Sequence, residues 1–215
     1  MSDEMGIFEV MYNCRAMRRL DTREVEEEKL MKLIDAANQA PSGSNMQSAR
    51  WIIARGAEVK QRLADLNRKG VEGYIGNQIQ NPGSLPHQNK DKRSRMVDAV
   101  VWQMEHMHEI PALIVACMDF GAEVTPAMRA GGNGSIWPGI QNLLLAARAM
   151  GLGAAPTTLA LMDTDAVAEA LSLPNTQWLL TASFLSVIPW VISVPLLENP
   201  STKLLVLISG ADDEP

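Results

Sequence analysis

The chain is poor in the residues that build covalent cross-links and metal sites. Its 215 residues include two cysteines, Cys14 and Cys117, and three histidines. The cysteines form no CxxC pair and no Cys/His cluster, which argues against a disulfide scaffold or a zinc site and fits a reducing cytoplasm. His106 and His108 are two residues apart, so on a helix they diverge and cannot hold one metal ion.

Positive charge is also in short supply. Nineteen Lys and Arg face twenty-five Asp and Glu, for a net charge of −6 and an isoelectric point near 5.1. A nucleic-acid-binding protein would show a basic face, so nucleic acid is not an expected partner. The first residues, MSDEMGIFEVMYN, lack the basic and apolar regions of a secretory leader, and we expect a cytoplasmic protein.

Apolar residues, in contrast, make up 47% of the chain, enough for one sizeable core. Asp21 or Thr22 can cap a helix that Pro41 stops, and further helices are predicted over residues 58–68 and 92–109, in SIWPGIQNLLLAARAMGLG and in DTDAVAEALSL. WIIARG and ALIVACMDF are typical of strands, the latter buried on both faces. Residues 70–89 are rich in Gly, Pro and Asn and predict a long mobile loop. Strands separated by helices predict an α/β or α+β domain with a covered sheet.

Three short segments carry donor groups suited to a ligand. CRAMRRLD holds Arg15, Arg18 and Arg19, whose guanidiniums suit a phosphate or a carboxylate, although a solvated basic patch is an alternative. APSGSNMQ and GLGAAPTTL combine small residues, which permit close backbone approach, with hydroxyl and amide side chains. Their plainer interpretations are a helix-ending loop and a tight helix-to-strand turn.

Taken in order, these segments resemble the flavin-dependent nitroreductase family. The matches are CRAMRRL, then AxxAPSGSNxQ, then PxxQNLLLAARAMGLGAxPTT, and the resemblance covers roughly residues 10–177. Cys14, Ala16 and Leu20 depart from the family's RRSxRxF-type opening, while Arg15 and Arg18 keep its arginines. The resemblance implies an α+β fold, with a central, mostly antiparallel sheet flanked by helices, in an intertwined homodimer.

The same resemblance implies FMN, bound without a covalent link at the dimer interface. The residues around the phosphate would be Arg15, Ala16, Met17 and Arg18; those lining the ribityl chain and ring edges, Ser42, Gly43, Asn45 and Gln47; and those beside the isoalloxazine, Pro156, Thr157 and Thr158. NADH or NADPH would deliver a hydride through FMN to a nitroaromatic, quinone or similar small-molecule acceptor in a ping-pong cycle. The flavin carries the chemistry, so no catalytic side chain is expected. Reductive dehalogenation and flavin fragmentation, on the same scaffold, are alternatives.

The stretch from residue 178 to residue 200 departs from this pattern. Residues 178–197 carry no charge and have the length of a membrane-spanning helix, but Pro189 and Pro195 interrupt them and no basic cluster flanks them. The alternative of two buried strands is disfavoured, because the stretch lacks turn residues at suitable positions.

When the coding sequence is read one nucleotide earlier, the codons permitted for Phe184 to Pro200 can spell PIGYPLGxFGPVxRKP, which resembles the family's ending. We therefore divide the chain into a flavin-binding domain, 1–177, and an atypical tail, 178–215, which we interpret as a frameshift product. Such a tail would weaken flavin binding, and an inactive flavin-binding remnant is the alternative function.

Overall fold

The protein folds as a five-stranded sheet between two layers of helices. The computed structural model describes residues 5–19, 21–80, 90–126, 128, 134–173, 178–189 and 205–208. The described helices are α1 (Ile7–Asn13), α2 (Glu27–Asn38), α3 (Ala57–Gln80), α4 (Lys90–His106), α5 (Trp137–Ala149) and α6 (Thr164–Ala170). The strands are β1 (Ala49–Ala54), β2 (Ala112–Asp119), β3 (Leu152–Ala155), β4 (Trp178–Pro189) and β5 (Leu205–Ile208).

The sheet has the order β3-β4-β2-β1-β5. Three of its four pairings are antiparallel, and β5 runs parallel to β1. The predicted α+β class with a mostly antiparallel sheet is confirmed.

Alternate residues of β1 and β2 supply two separate hydrophobic cores, as the period of two in a strand requires. Trp51 and Ile53 point to the face that α2 and α5 cover. Ile52 and Ala54 point to the opposite face, which α3 and α6 cover. Seven consecutive residues of β2 are buried, so the prediction of a strand covered on both faces is confirmed.

Helix α3 corrects the prediction for residues 58–89. The helix does not end near residue 68 but continues through Gly70, Gly73 and Gly76 to Gln80. The reason is tertiary packing at Gly70, where a Cβ atom would stand only 2.1 Å from the carbonyl oxygen of Leu159. The glycine thus serves close packing rather than a loop. Of the predicted mobile loop, residues 81–89 lie outside the described residues.

The start of α2 was also predicted incorrectly. Asp21 does not cap the helix; it accepts a hydrogen bond from the backbone N–H of Arg23, and the helix begins six residues later at Glu27. The cap of α6 follows the expected pattern, since Asp163 accepts from the backbone N–H of Ala166. Trp102, near the end of α4, packs against the core that α3 and α6 cover, and Met107, just after the helix, is fully buried in the same core.

Residues 178–189 form the long strand β4, which pairs with β2 on one side and β3 on the other. Among the described residues, no helix combines the length and apolar character needed to cross a membrane.

Candidate functional site

Residues 14–19, which we call the arginine loop, lie against β3. The backbone N–H of Met17 donates to the carbonyl oxygen of Ala154 at 3.0 Å, which extends the sheet by one hydrogen bond. The Met17 side chain packs against the core that α3 and α6 cover. This anchoring leaves Arg15 and Ala16 exposed to solvent.

Arg18 occupies a different environment from Arg15. Its side chain is partly buried, and burial lowers the pKa of Arg18 from its ordinary value because it disfavours the charged form, while nearby Tyr74 of α3 acts in the opposite direction. The guanidinium of Arg15 donates to the carbonyl oxygen of Cys14. An exposed and a half-buried cation in one loop can approach an anionic group from two directions.

Residues 156–158, which we call the hydroxyl turn, follow β3 directly and therefore lie next to the arginine loop. The Thr157 hydroxyl donates to the side-chain oxygen of buried Asn67 at 3.1 Å. Thr157 can thus offer a ligand its backbone, whereas the exposed Thr158 can offer its hydroxyl as well. The structure brings the first and third predicted segments together.

Residues 42–47, which we call the serine loop, adopt an uncommon backbone. Ser44, Asn45 and Gln47 have φ angles of 51°, 53° and 52°, in the left-handed region that costs a non-glycine residue energy. The Ser42 hydroxyl accepts from the N–H of Gln47 at 3.1 Å, and the side-chain amide of Gln47 donates to Asn45 at 2.7 Å. These bonds hold a compact, strained loop whose polar edges face solvent.

Two residues outside the predicted segments support the serine loop. The Ser135 hydroxyl, just before α5, accepts from the N–H of Gly43 at 2.9 Å. Arg50 donates to the carbonyl oxygen of Gln47 at 3.2 Å and pairs with Asp119 at 3.4 Å. A cavity of about 240 Å³ opens beside the loop, and none of the described residues that line it is charged. The residues that line it are Ser42, Gly43, Ser44, Met46, Ser48, Ala49, Met118, Phe120 and Ser135.

The two parts of the candidate site lie far apart within one chain. Ala155, Ser186, Leu113 and Ala54 form one row across the sheet. Ala49, which follows the serine loop, is five residues from that row and three strands from β3. Typical strand dimensions place it roughly 17 Å along and 14 Å across the sheet from Ala155.

The supporting residues could not be found from sequence spacing. Asn67 and Thr157 are 90 residues apart, and Gly43 and Ser135 are 92 apart. Within the described ranges, no three His, Cys, Asp or Glu side chains cluster as a metal site would need.

The fold agrees with comparisons with known proteins. The sequence model of the Nitroreductase family matches residues 13–186. The chain belongs to the nitroreductase family.

Particular relatives bear this out. The chain is 30% identical to Protein DrgA of Synechocystis sp. over 174 residues, which is 79% of this chain and 78% of that protein. Crystalline iodotyrosine deiodinase bound to FMN and 3-iodo-L-tyrosine superimposes with a TM-score of 0.66 at 21% identity, covering 94% and 97% of the two chains. A variant of the FMN- and NADPH-dependent nitroreductase NfnB from Sphigopyxis sp. strain HMH has a TM-score of 0.60 at 19% identity, covering 87% and 89%.

Proposed function

We propose that this protein is an FMN-dependent NAD(P)H oxidoreductase that reduces nitroaromatics, quinones or similar small-molecule acceptors. Family membership over residues 13–186 supports the reaction class. Among its structural neighbours, the deiodinase holds FMN and the nitroreductase NfnB depends on FMN and NADPH. When bound, FMN supplies hydride chemistry between a nicotinamide and the acceptor.

The residues of the arginine loop and the hydroxyl turn fit such a cofactor. Arg15 and Arg18 would hold the phosphate through charge-assisted hydrogen bonds, with Ala16 and Met17 supplying the backbone between them. Exposed Thr158 and the backbone of Pro156 and Thr157 would orient the ring. Both groups of donors meet at β3, where the Met17–Ala154 hydrogen bond joins their segments.

The serine loop would contribute Ser42, Gly43, Asn45 and Gln47. Its exposed polar groups suit the ribityl hydroxyls and ring edges, and the adjoining cavity, whose described lining residues are uncharged, suits an apolar ring. The role of these residues is to bind and orient and to keep water from the reacting face.

The observation that carries the proposal of a flavin site shared by two chains is the separation of the serine loop from the arginine loop. A distance on the order of 20 Å is long for one ligand held by both loops of the same chain. A twofold pair can place the serine loop of one copy beside the arginine loop of the other, since in a twofold interface residue i of one copy contacts residue j of its partner and the reverse. We therefore propose a homodimer with two composite flavin sites.

A visible absorption spectrum tests the function. The purified chain is mixed with FMN, then with NADH or NADPH without oxygen, then with a nitroaromatic or a quinone. We expect a protein-bound flavin band that bleaches with the nicotinamide and returns with the acceptor. Absence of a bound band at excess FMN would overturn the proposal.

Mixed dimers test the composite site. One variant carries Arg15→Ala and Arg18→Ala, and the other carries Ser42→Ala and Asn45→Ala. Each alone should bind FMN poorly. Random pairing after co-refolding should restore about one quarter of the sites if each site uses both chains. No recovery, in mixtures shown to contain mixed dimers, would place all four residues in one chain's site.

A second candidate is a flavin-binding protein without turnover, and the uncharged stretch of residues 178–197 favours it. We propose that a frameshift produced residues 178–215, and that β4, which lies in this stretch, nevertheless completes the sheet. The coding sequence tests this: it must supply TAT across Val187–Ile188 and CGA across Leu197–Glu198. Other nucleotides there would refute the frameshift, and flavin bleaching by NAD(P)H would refute the loss of turnover.

A further inference from the structure

Asn67 of α3 is a polar side chain placed inside the protein, with 1% of its surface exposed. Its side-chain oxygen accepts the hydrogen bond from the Thr157 hydroxyl at 3.1 Å, and the same hydroxyl oxygen accepts from the backbone N–H of Leu159 at 3.5 Å. Burying a carboxamide is costly unless it is hydrogen-bonded, so this arrangement fixes the middle of the hydroxyl turn to the helix.

Gly70 packs against Leu159, the residue that directly follows the hydroxyl turn. It lies three residues after Asn67, on the same face of α3. A Cβ atom at this position would approach the carbonyl oxygen of Leu159 to 2.1 Å and its carbonyl carbon to 2.7 Å. Helix and turn therefore meet backbone to backbone at Gly70 and through side chains at Asn67. Two contacts on one helical face leave the turn little freedom to shift.

We propose that Asn67 is a positioning residue that sets the backbone of the hydroxyl turn and thereby controls the affinity and the reduction potential of the flavin. This inference rests on the proposed function, which places Pro156, Thr157 and Thr158 beside the isoalloxazine. Asn67 acts through Thr157, because its own side chain is buried and directed to the Thr157 hydroxyl. A shift of the turn would move the hydrogen-bond donors nearest the ring, and donors near the ring tune its electronics.

The test compares Asn67→Ala, Thr157→Val and the double variant with the wild-type chain. A buried group left without its partner costs about 1–3 kcal/mol, so each single variant should raise the FMN dissociation constant by roughly 5- to 150-fold. Each should also shift the absorption maximum and the midpoint potential of the bound flavin. The double variant should bind FMN no more weakly than the weaker-binding single variant, because the two substitutions remove the same hydrogen bond.

Leu63→Val is the matched control. Leu63 lies one turn before Asn67 on α3 and is fully buried in the core that this helix covers. Shortening it loosens the same helix without removing a hydrogen bond to the turn. We expect a lower melting temperature with the wild-type flavin spectrum and midpoint potential.

The outcomes separate this inference from the function on which it rests. A wild-type chain that binds no FMN would overturn the proposed function, and the positioning role with it. A wild-type chain that binds FMN while Asn67→Ala keeps the wild-type affinity, spectrum and potential would overturn the positioning role alone. If Asn67→Ala does not fold, Thr157→Val decides in the same way.

Discussion

The two parts of the candidate site are held in shape by different means. The hydroxyl turn is held by a buried hydrogen bond to Asn67. The arginine loop is held beside it by one backbone hydrogen bond to β3. The serine loop lies at the surface, with three residues in left-handed conformations and hydrogen bonds mostly among its own residues. One part takes its shape from the core, whereas the other is strained and braced locally.

This difference predicts how substitutions in each part affect folding and flavin binding. Strained backbone persists only where the surroundings enforce it, and such strain collects at ligand-binding sites. Removing the hydrogen bond between Asn67 and Thr157 should alter both folding and the flavin. Disturbing the serine loop should alter binding more than folding, because little of the core depends on it.

The largest effect is expected from the arginines. Arg15→Ala or Arg18→Ala should weaken FMN binding by about 1.5–3 kcal/mol, or roughly 10- to 150-fold, because each removes a charge-assisted hydrogen bond. Titration of flavin fluorescence measures the dissociation constant. Arg62→Ala removes the same charge from the distant pair with Glu169 and should leave binding near the wild-type value. Equal losses in both cases would mean that general charge, and not the loop, attracts the phosphate.

Substitution of two glycines in α3 should have opposite effects on folding. Gly70→Ala should lower the free energy of unfolding by about 1–3 kcal/mol through overpacking against Leu159. Gly73→Ala meets no atom within 4 Å and should raise it by about 0.5–1 kcal/mol, since alanine favours the helix. Urea unfolding followed by circular dichroism gives both values. A neutral Gly70→Ala would show that the turn is not held tightly by the helix.

Loss of the brace on the serine loop should have a smaller effect. Ser135→Ala removes the acceptor for the N–H of Gly43 and should weaken FMN binding by about 0.5–1.5 kcal/mol, a factor of 2 to 10. The melting temperature should change little. Ser94→Ala, at an exposed position of α4, is the control for removing a serine hydroxyl. If Ser135→Ala instead lowers the melting temperature while the FMN affinity stays unchanged, the serine loop contributes to the stability of the fold and not to the site.

Relief of backbone strain should have the smallest effect. Ser44→Gly removes a cost of about 1–2 kcal/mol for the left-handed conformation but adds about 0.5–1 kcal/mol of unfolded-chain entropy. The net stabilisation is therefore between about 0 and 1.5 kcal/mol, or at most roughly 3–6 °C in melting temperature. Ser94→Gly, inside α4, should lower the melting temperature instead. A fall with Ser44→Gly would mean that the serine side chain contributes more than its backbone costs.

The features that follow from local periodicity could be predicted from the sequence. The buried run of β2 and the apolar helix α5 were predicted near their observed bounds, because each repeats its pattern over several residues. Gly70 of α3 misled the prediction, since its low helix propensity was outweighed by packing against Leu159. Helix α1, with seven residues, is too short to give a clear periodic signal.

The site could be predicted only as far as its segments. Loop composition and resemblance indicated which residues to consider, but not which of them would meet. Contacts between residues about 90 positions apart, such as Asn67 with Thr157, depend on how the sheet is ordered. The same ordering separates the serine loop from the arginine loop, which no spacing along the chain reveals.

The hydrogen bond between Met17 and Ala154 also affects how the sheet meets its surroundings. Strand β3 has only four residues and lies at one edge of the described sheet. An open edge presents free backbone groups on which another chain can add a strand, and proteins protect such edges by keeping them short or covering them. By occupying the carbonyl oxygen of Ala154, the arginine loop shields this edge. A chain that has lost residues 1–19 by cleavage after the arginine loop would therefore expose the unpaired backbone edge of β3 and self-associate.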